Sequence, residues 1–211
     1  MTTQRLKLFL VAIALIALLT SSASAAVLHD QSAIEPDWTQ GFLNSIGGGP
    51  GPDHFYYGAQ DVVVEGGGWV ISTITIFTTY GGSEPTNAFL NIFPKTSSPL
   101  PTAEQIPNLD TPVAVDKTLV SDDVFAVTAS GLDISLEPGE YWICLTPNET
   151  NAFYCTHIPA ETVMGDHTAT YDGSSWGYPH REWDATILIE GDETPVAAES
   201  SSLSSVKALF R

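Results

Sequence analysis

Cations are what this sequence lacks most. Its 211 residues hold only 7 lysines and arginines against 25 aspartates and glutamates, a formal net charge of -18. A surface of that sign repels polyanions, because nucleic-acid binding is driven by Lys and Arg displacing counterions. Anionic bilayer surfaces are excluded as partners for the same reason. Divalent cations, basic proteins and amines remain open, beside the plainer role of acid in keeping a protein soluble. Cysteine is nearly as scarce, with two residues and no Cys-x-x-Cys, which argues against a zinc or redox pair. Helical periodicity is almost absent beyond the first residues, and no later stretch is long or apolar enough to cross a bilayer.

The start of the chain has the composition of a secretory leader. Arg5 and Lys7 precede an apolar run from Leu8 to Leu19, with Thr20-Ser21-Ser22-Ala23-Ser24-Ala25 after it. The run is shorter than the roughly 20 residues of a membrane span, and Ala23-Ser24-Ala25 offers the small side chains of a cleavage site. Residues 1–25 are therefore expected to be a signal peptide cut after Ala25, with an uncleaved anchor as the alternative, and the protein to be secreted or held at the cell surface. The leader takes two of the seven cations and no acid, so the mature chain stands near -20.

Residues 26–191 are expected to form one all-β domain, a jelly-roll-like antiparallel sandwich. Short β-branched and aromatic runs alternate with Gly, Pro, Asn and Asp. Strands are expected at Gln60 to Glu65, Trp69 to Thr79, Ala88 to Phe93, Val113 to Val120, Val124 to Thr128, Leu132 to Leu136, Tyr141 to Leu145, Phe153 to His157 and Thr186 to Glu190. Val70, Ile74 and Ile76 are expected on one core-facing side, as are Leu132, Ile134 and Leu136, which alternate with Asp133 and Ser135. The 17 glycines and 14 prolines serve turns such as Glu65-Gly66-Gly67-Gly68, where φ > 0 or a fixed φ is needed.

Three segments break the pattern. Gly47 to Pro52 (GGGPGP) reads as a loop, and Pro94 to Pro112 as a Pro-rich connection crossing between sheets. After Gly191 a Ser/Ala-rich tail over 192–211 ends in Leu203, Val206, Lys207, Leu209, Phe210 and Arg211, whose spacing suits a short amphipathic helix.

The two cysteines, Cys144 and Cys155, lie on either side of a polar turn, Pro147-Asn148-Glu149-Thr150. In an exported chain thiols pair, and a hairpin of Tyr141–Thr146 with Asn151–Thr156 would set the two sulfurs opposite each other. A Cys144–Cys155 disulfide is expected, closing a loop short enough to stabilise by roughly 2–3 kcal/mol. Asn148-Glu149-Thr150 also fits a glycosylation acceptor.

Catalytic signatures are sparse. A serine hydrolase would want Gly-x-Ser-x-Gly on a strand-to-helix turn, and no such segment is expected. The histidines His29, His54, His157, His167 and His180 are scattered, without His-Glu-x-x-His. His180, Glu182 and Asp184 would share one strand face and suit a metal, a spacing that surface polarity explains as well. Carboxylate pairs such as Asp122-Asp123 would serve a glycosidase only if folding set two of them about 5–10 Å apart. No cofactor is expected; a calcium loop using Asp53, Asp61 or Asp166 lacks the Asp-x-Asp-x-Asp-Gly motif.

Three stretches carry a resemblance. Ala59-Gln60-Asp61-Val62-Val63-Val64-Glu65-Gly66-Gly67-Gly68-Trp69-Val70-Ile71 resembles the A-D-D-F-x-V-P-x-G-x-x-W-x-I opening of secreted bacterial jelly-roll domains found in proteins with surface-sorting tails. Gly131 to Trp142, ending Pro138-Gly139-Glu140-Tyr141-Trp142, is similar to their L-x-L-x-x-G-x-Y-W hairpin, and Trp183 to Gly191 to their D-x-A-F-R-I-x-G closing strand, with Leu188 where a basic residue is usual. The resemblance implies a sandwich without any general activity to transfer. The tail departs from it, having no LPxTG, no Pro-Glu-Pro span and no lipobox cysteine.

The expectation is an exported, non-catalytic sandwich acting in adhesion, matrix or recognition, with carbohydrate or another surface protein as partner. A carbohydrate-binding module using the loop aromatics Trp176, Tyr178 and Trp183 is the alternative, since flat aromatic faces hold sugars, although aromatics also cap cores. An extracellular hydrolase is the third reading.

Overall fold

A computed structural model describes residues 25–35, 42–43, 45–46, 55–79, 85–121, 123–148, 156–164, 168–178 and 184–195. Residues 1–24 of the expected leader and the expected tail helix lie outside these residues, as does GGGPGP. Two antiparallel sheets face each other as a sandwich, as the alternation of the strands requires. In the first, a long central strand β5 (Trp69–Thr79) is flanked by β14 (Ile187–Glu193) and β9 (Val124–Leu136). The strand β1 (Ala26–Gln31) pairs with β14, and β8 (Asp116–Ser121) with β9, while β11 (Thr156–His157) joins β5 to β2 (Phe42–Leu43). The second sheet runs β13 (Trp176–Gly177), β12 (Ala169–Tyr171), β4 (Phe55–Val64), β10 (Gly139–Pro147), β6 (Asn87–Pro94), β7 (Pro112–Ala114), with β3 (Ser45–Ile46) on β4.

The apolar interior is built by period-two alternation. Trp69, Ile71, Ile74, Ile76, Val127, Ala129, Ile187 and Ile189 of the first sheet meet Val62, Val64, Ala88, Ile143 and Leu145 of the second. Each isoleucine or leucine so removed from water contributes roughly 1.5–3 kcal/mol. The expected Val70 is not among them. Opposite β14, Ser72 is an extra residue of β5 between Ile71 and Thr73, so the buried face of β5 reads 69 and 71 before the shift and 74 and 76 after it.

Three expectations about connectivity are corrected. Val113 to Val120 is not one strand: β7 and β8 lie in different sheets, and the crossing occurs at the buried Val115. The Pro-rich stretch after Pro94 makes no crossing, because β6 and β7, which it joins, are antiparallel neighbours in one sheet. Third, β10 and the strand holding Thr156 form no hairpin. Both edges of β10 are already occupied, by β4 and β6, and β11 pairs in the other sheet. Cys144 therefore has Asn91 as its cross-strand neighbour and packs against Ala59, Trp142 and Ala169, while Cys155 lies outside the described residues. Burial among these groups pushes the Cys144 thiol well above its usual range.

That second cluster lies on the outer face of the second sheet, where open water would be expected. The 94–112 connection covers it, bringing Leu100 onto Trp142 and Cys144 beside Phe93 and Trp176. The connection is held by its own backbone partners. Lys95 N donates to Glu140 O at 2.7 Å, Gln105 Nε2 to Pro94 O at 2.7 Å, and Asn108 N to Asn91 Oδ1 at 2.7 Å.

Candidate functional site

The aromatics singled out from sequence fall at this covered face. Asp172 Oδ1 accepts from Ser174 N (2.9 Å), Ser174 Oγ (2.7 Å) and Ser175 N (2.9 Å), closing the β12–β13 turn. These bonds hold the Asp172 carboxyl below its usual pKa. The turn sets Trp176 against Tyr171 (ring centroids 5.3 Å apart) and edge-on to Phe93 (6.4 Å). Trp176 Nε1 donates to Gln105 O at 3.0 Å, and the Tyr178 hydroxyl donates to Pro99 O. Both side chains are thus half-buried and engaged with the 94–112 connection; Trp183 lies outside the described residues. Contrary to expectation, one segment has Gly-x-Ser-x-Gly spacing, Gly173-Ser174-Ser175-Trp176-Gly177, but it is this hairpin turn rather than a strand-to-helix elbow.

The other candidates disperse. Asp184 is fully buried in the interior, while His180 and Glu182 lie outside the described residues, as do His54, His167, Asp53, Asp122 and Asp166. His157 is buried, with its Nε2 donating to Thr186 O at 2.7 Å; burial lowers its pKa to about 4, against the raising effect of that bond. Asp61 pairs with Lys95 at 3.0 Å, and that ammonium also meets Glu140 at 3.3 Å and stands 5.3 Å from the Trp142 ring centroid. Among the described residues no group of three or more His, Cys, Asp or Glu is placed to cage a metal ion.

A different site emerges where β1 approaches β4. There the sandwich interior turns polar, with Gln31, Gln60, Thr168 and Asp184 all buried. Each falls on the inward phase of its segment: Gln60 precedes Val62 and Val64, and Gln31 is the cross-strand partner of Ile187. Buried amides must be satisfied, and the bonds here have one consistent direction. The backbone N–H of Ala185 only donates, so Gln60 Oε1 faces it (3.1 Å) and also takes the Thr168 hydroxyl (2.7 Å). Gln60 Nε2 then donates to Gln31 Oε1 at 3.0 Å. Gln31 Nε2 is left for Asp184 Oδ2 at 3.0 Å, which also accepts from Met164 N.

The chain of bonds ends at His29. Its Nε2 lies 3.1 Å from the same Gln31 Oε1, an acceptor, so the nitrogen there carries the hydrogen. In the neutral ring Nδ1 then holds the lone pair. The imidazole is nine-tenths buried and forms part of the wall of a cleft of about 400 Å³. Leu28 and His29 from β1, Asp61 and Val63 from β4, Glu65 and Trp69 from the turn that joins β4 to β5, Met164, and Glu193 from β14 line it. Glu193 is the cross-strand partner of Trp69, which places its carboxylate beside the turn bearing Glu65.

The chemistry of this lining is one-sided. Glu65 and Glu193 offer carboxylate oxygens, His29 offers a ring lone pair, and Leu28, Val63, Trp69 and Met164 supply the apolar surface, while the Asp61 carboxylate is taken up by Lys95. The sequence does not announce the cleft, because its residues come from segments distant in the chain; the legible trace is Gln60 at a core-phase position. No family model, curated protein or solved structure matches this chain.

Proposed function

We propose that this chain is an exported, non-catalytic recognition domain of the cell surface or extracellular matrix, with the cleft between β1 and β4 as its ligand site. The observation that carries this reading is the cleft itself: a concavity of ligand size, about 400 Å³, whose wall includes a histidine held in one tautomer by a buried network. The leader composition, the resemblance to surface-associated jelly-roll domains and the acidic balance support placement outside the cell. Sandwiches use such sites for recognition when they are rigid, and a network spanning β1, β4 and the residues just before β14 supplies that rigidity.

The test is binding of the purified full chain to cell-envelope material from the producing cells, wild type against Val63→Lys. Val63 is 52% exposed, so a larger side chain there occupies the cleft without disturbing the core. Loss of binding with an unchanged melting temperature is expected. Unaltered binding by the variant would remove the cleft from the function.

A further inference from the structure

We infer that the cleft takes a lysine or arginine side chain presented by an extended segment of a partner polypeptide, an inference resting on the cleft being the ligand site proposed above. Two independent features of the site point to a ligand that only donates hydrogen bonds and carries positive charge. The first is charge: Glu65 and Glu193 both line the cleft and no lysine or arginine does, while the third carboxylate of its wall, Asp61, is already paired with Lys95. The second is His29. Its Nε2–H is committed to Gln31, and the orientation of both glutamine amides is anchored by the backbone N–H of Ala185, so the ring cannot present a donor on its other nitrogen while neutral. The hydrogen bond given for the His29 side chain among the described residues is that of Nε2, and the ring, nine-tenths buried, lines the cleft. An acceptor held in that way, among carboxylates, is complementary to an ammonium or guanidinium N–H.

The apolar walls fit the rest of such a side chain. Leu28, Val63, Trp69 and Met164 can take the methylene stem while the charged head reaches the carboxylates. A polypeptide source is favoured by the neighbouring backbone. Val62–Val64 bonds to β10 on one side, whereas the pairing of β4 with β12 stops at Ala59; among the described residues no strand covers the other side. An extended segment adding there gains main-chain bonds and places alternate side chains at the cleft. Val27, Val63 and Met164, all substantially exposed, provide apolar contact around it.

Calorimetric titration of the full chain with an end-blocked pentapeptide of alternating valine and lysine, and with its valine/glutamine counterpart, tests this. The lysine peptide is expected to bind, more weakly as salt rises, and the glutamine peptide to give no heat of binding. The double substitution Glu65→Gln and Glu193→Gln should weaken the lysine peptide by roughly tenfold or more with an unchanged melting temperature. Equal binding of both peptides, or unaltered binding by the double variant, would overturn the inference. If Val63→Lys abolishes envelope binding while the lysine peptide gives no binding, the ligand class falls and the recognition site stands. If Val63→Lys leaves envelope binding intact, the site itself falls.

Discussion

Gln31 Nε2 stands 3.0 Å from Asp184 Oδ2, so the last residue of β1 supplies a donor to a carboxylate that is wholly buried just before β14. The same glutamine accepts from Gln60 and from His29. It is the joint of the whole polar network, since without it the carboxylate, the second amide and the imidazole each lose a partner.

Gln31→Leu should therefore destabilise by about 1–3 kcal/mol, because removing one partner leaves buried polar groups short of a hydrogen bond. Gln31→Glu should be worse, setting a second carboxylate against Asp184. Chemical denaturation at neutral pH measures both, and a Gln31→Leu variant as stable as wild type would refute the role given to the network.

His157 gives stability a pH dependence of defined sign. Its folded pKa is lowered to about 4 by burial, from an ordinary value of 6.5. Above 6.5 the ring is neutral in both states and contributes no slope. As pH falls from 6.5 towards 4 the unfolded chain takes up a proton that the folded chain refuses, and stability drops by roughly 3 kcal/mol in total. Denaturation curves over this window should show the slope, and it should be reduced in His157→Gln. Equal slopes in the two proteins would count against a neutral buried ring.

Lys95 is the cation of the covered outer face, its side chain 7% exposed beside an Asp61 side chain 3% exposed. Lys95→Met should cost about 3 kcal/mol by leaving that carboxylate without its ion pair. Adding Asp61→Asn should recover part of the loss, and a thermodynamic cycle over the two positions should show coupling.

Trp176 and Tyr178 anchor the 94–112 connection through Gln105 O and Pro99 O. In Trp176→Ala, amide hydrogen exchange should quicken across this connection, including Asn108, whose N–H is held by Asn91, while the β5–β9 ladder keeps its protection. Uniform protection in wild type and variant would mean that the indole is not needed to hold the segment.

Gly191 occupies a register shift in β14, and a Cβ there would lie 2.1 Å from Val70 O. Gly191→Ala should lower stability by at least about 2 kcal/mol through the backbone displacement it forces. A melting temperature equal to that of wild type would show that β5 can yield at Val70.

Particular strands show how far one-dimensional reading reaches. The bounds of β5 and the core role of Leu136 come directly from alternation and flanking turns. Val124 to Leu136 reads in sequence as two strands because Gly131 interrupts it; the glycine adopts φ 68 and lets a single strand continue beyond a shift in register. The short strands β12 and β13 have too few residues to show a period. Trp176 is visible as a loop aromatic, but what it touches depends on a connection some 71 residues away in the chain.

Composition and period-two patterning by themselves determined that this is an acidic all-β sandwich with an apolar interior, because those features depend only on neighbours along the chain. The tertiary structure alone decided the strand partners, and with them the fate of Cys144, the cover over Trp142 and the cleft at His29. Hydrogen bonds such as Gln31 to Asp184 join residues 153 apart, and no local pattern encodes which distant donor will meet a buried acceptor.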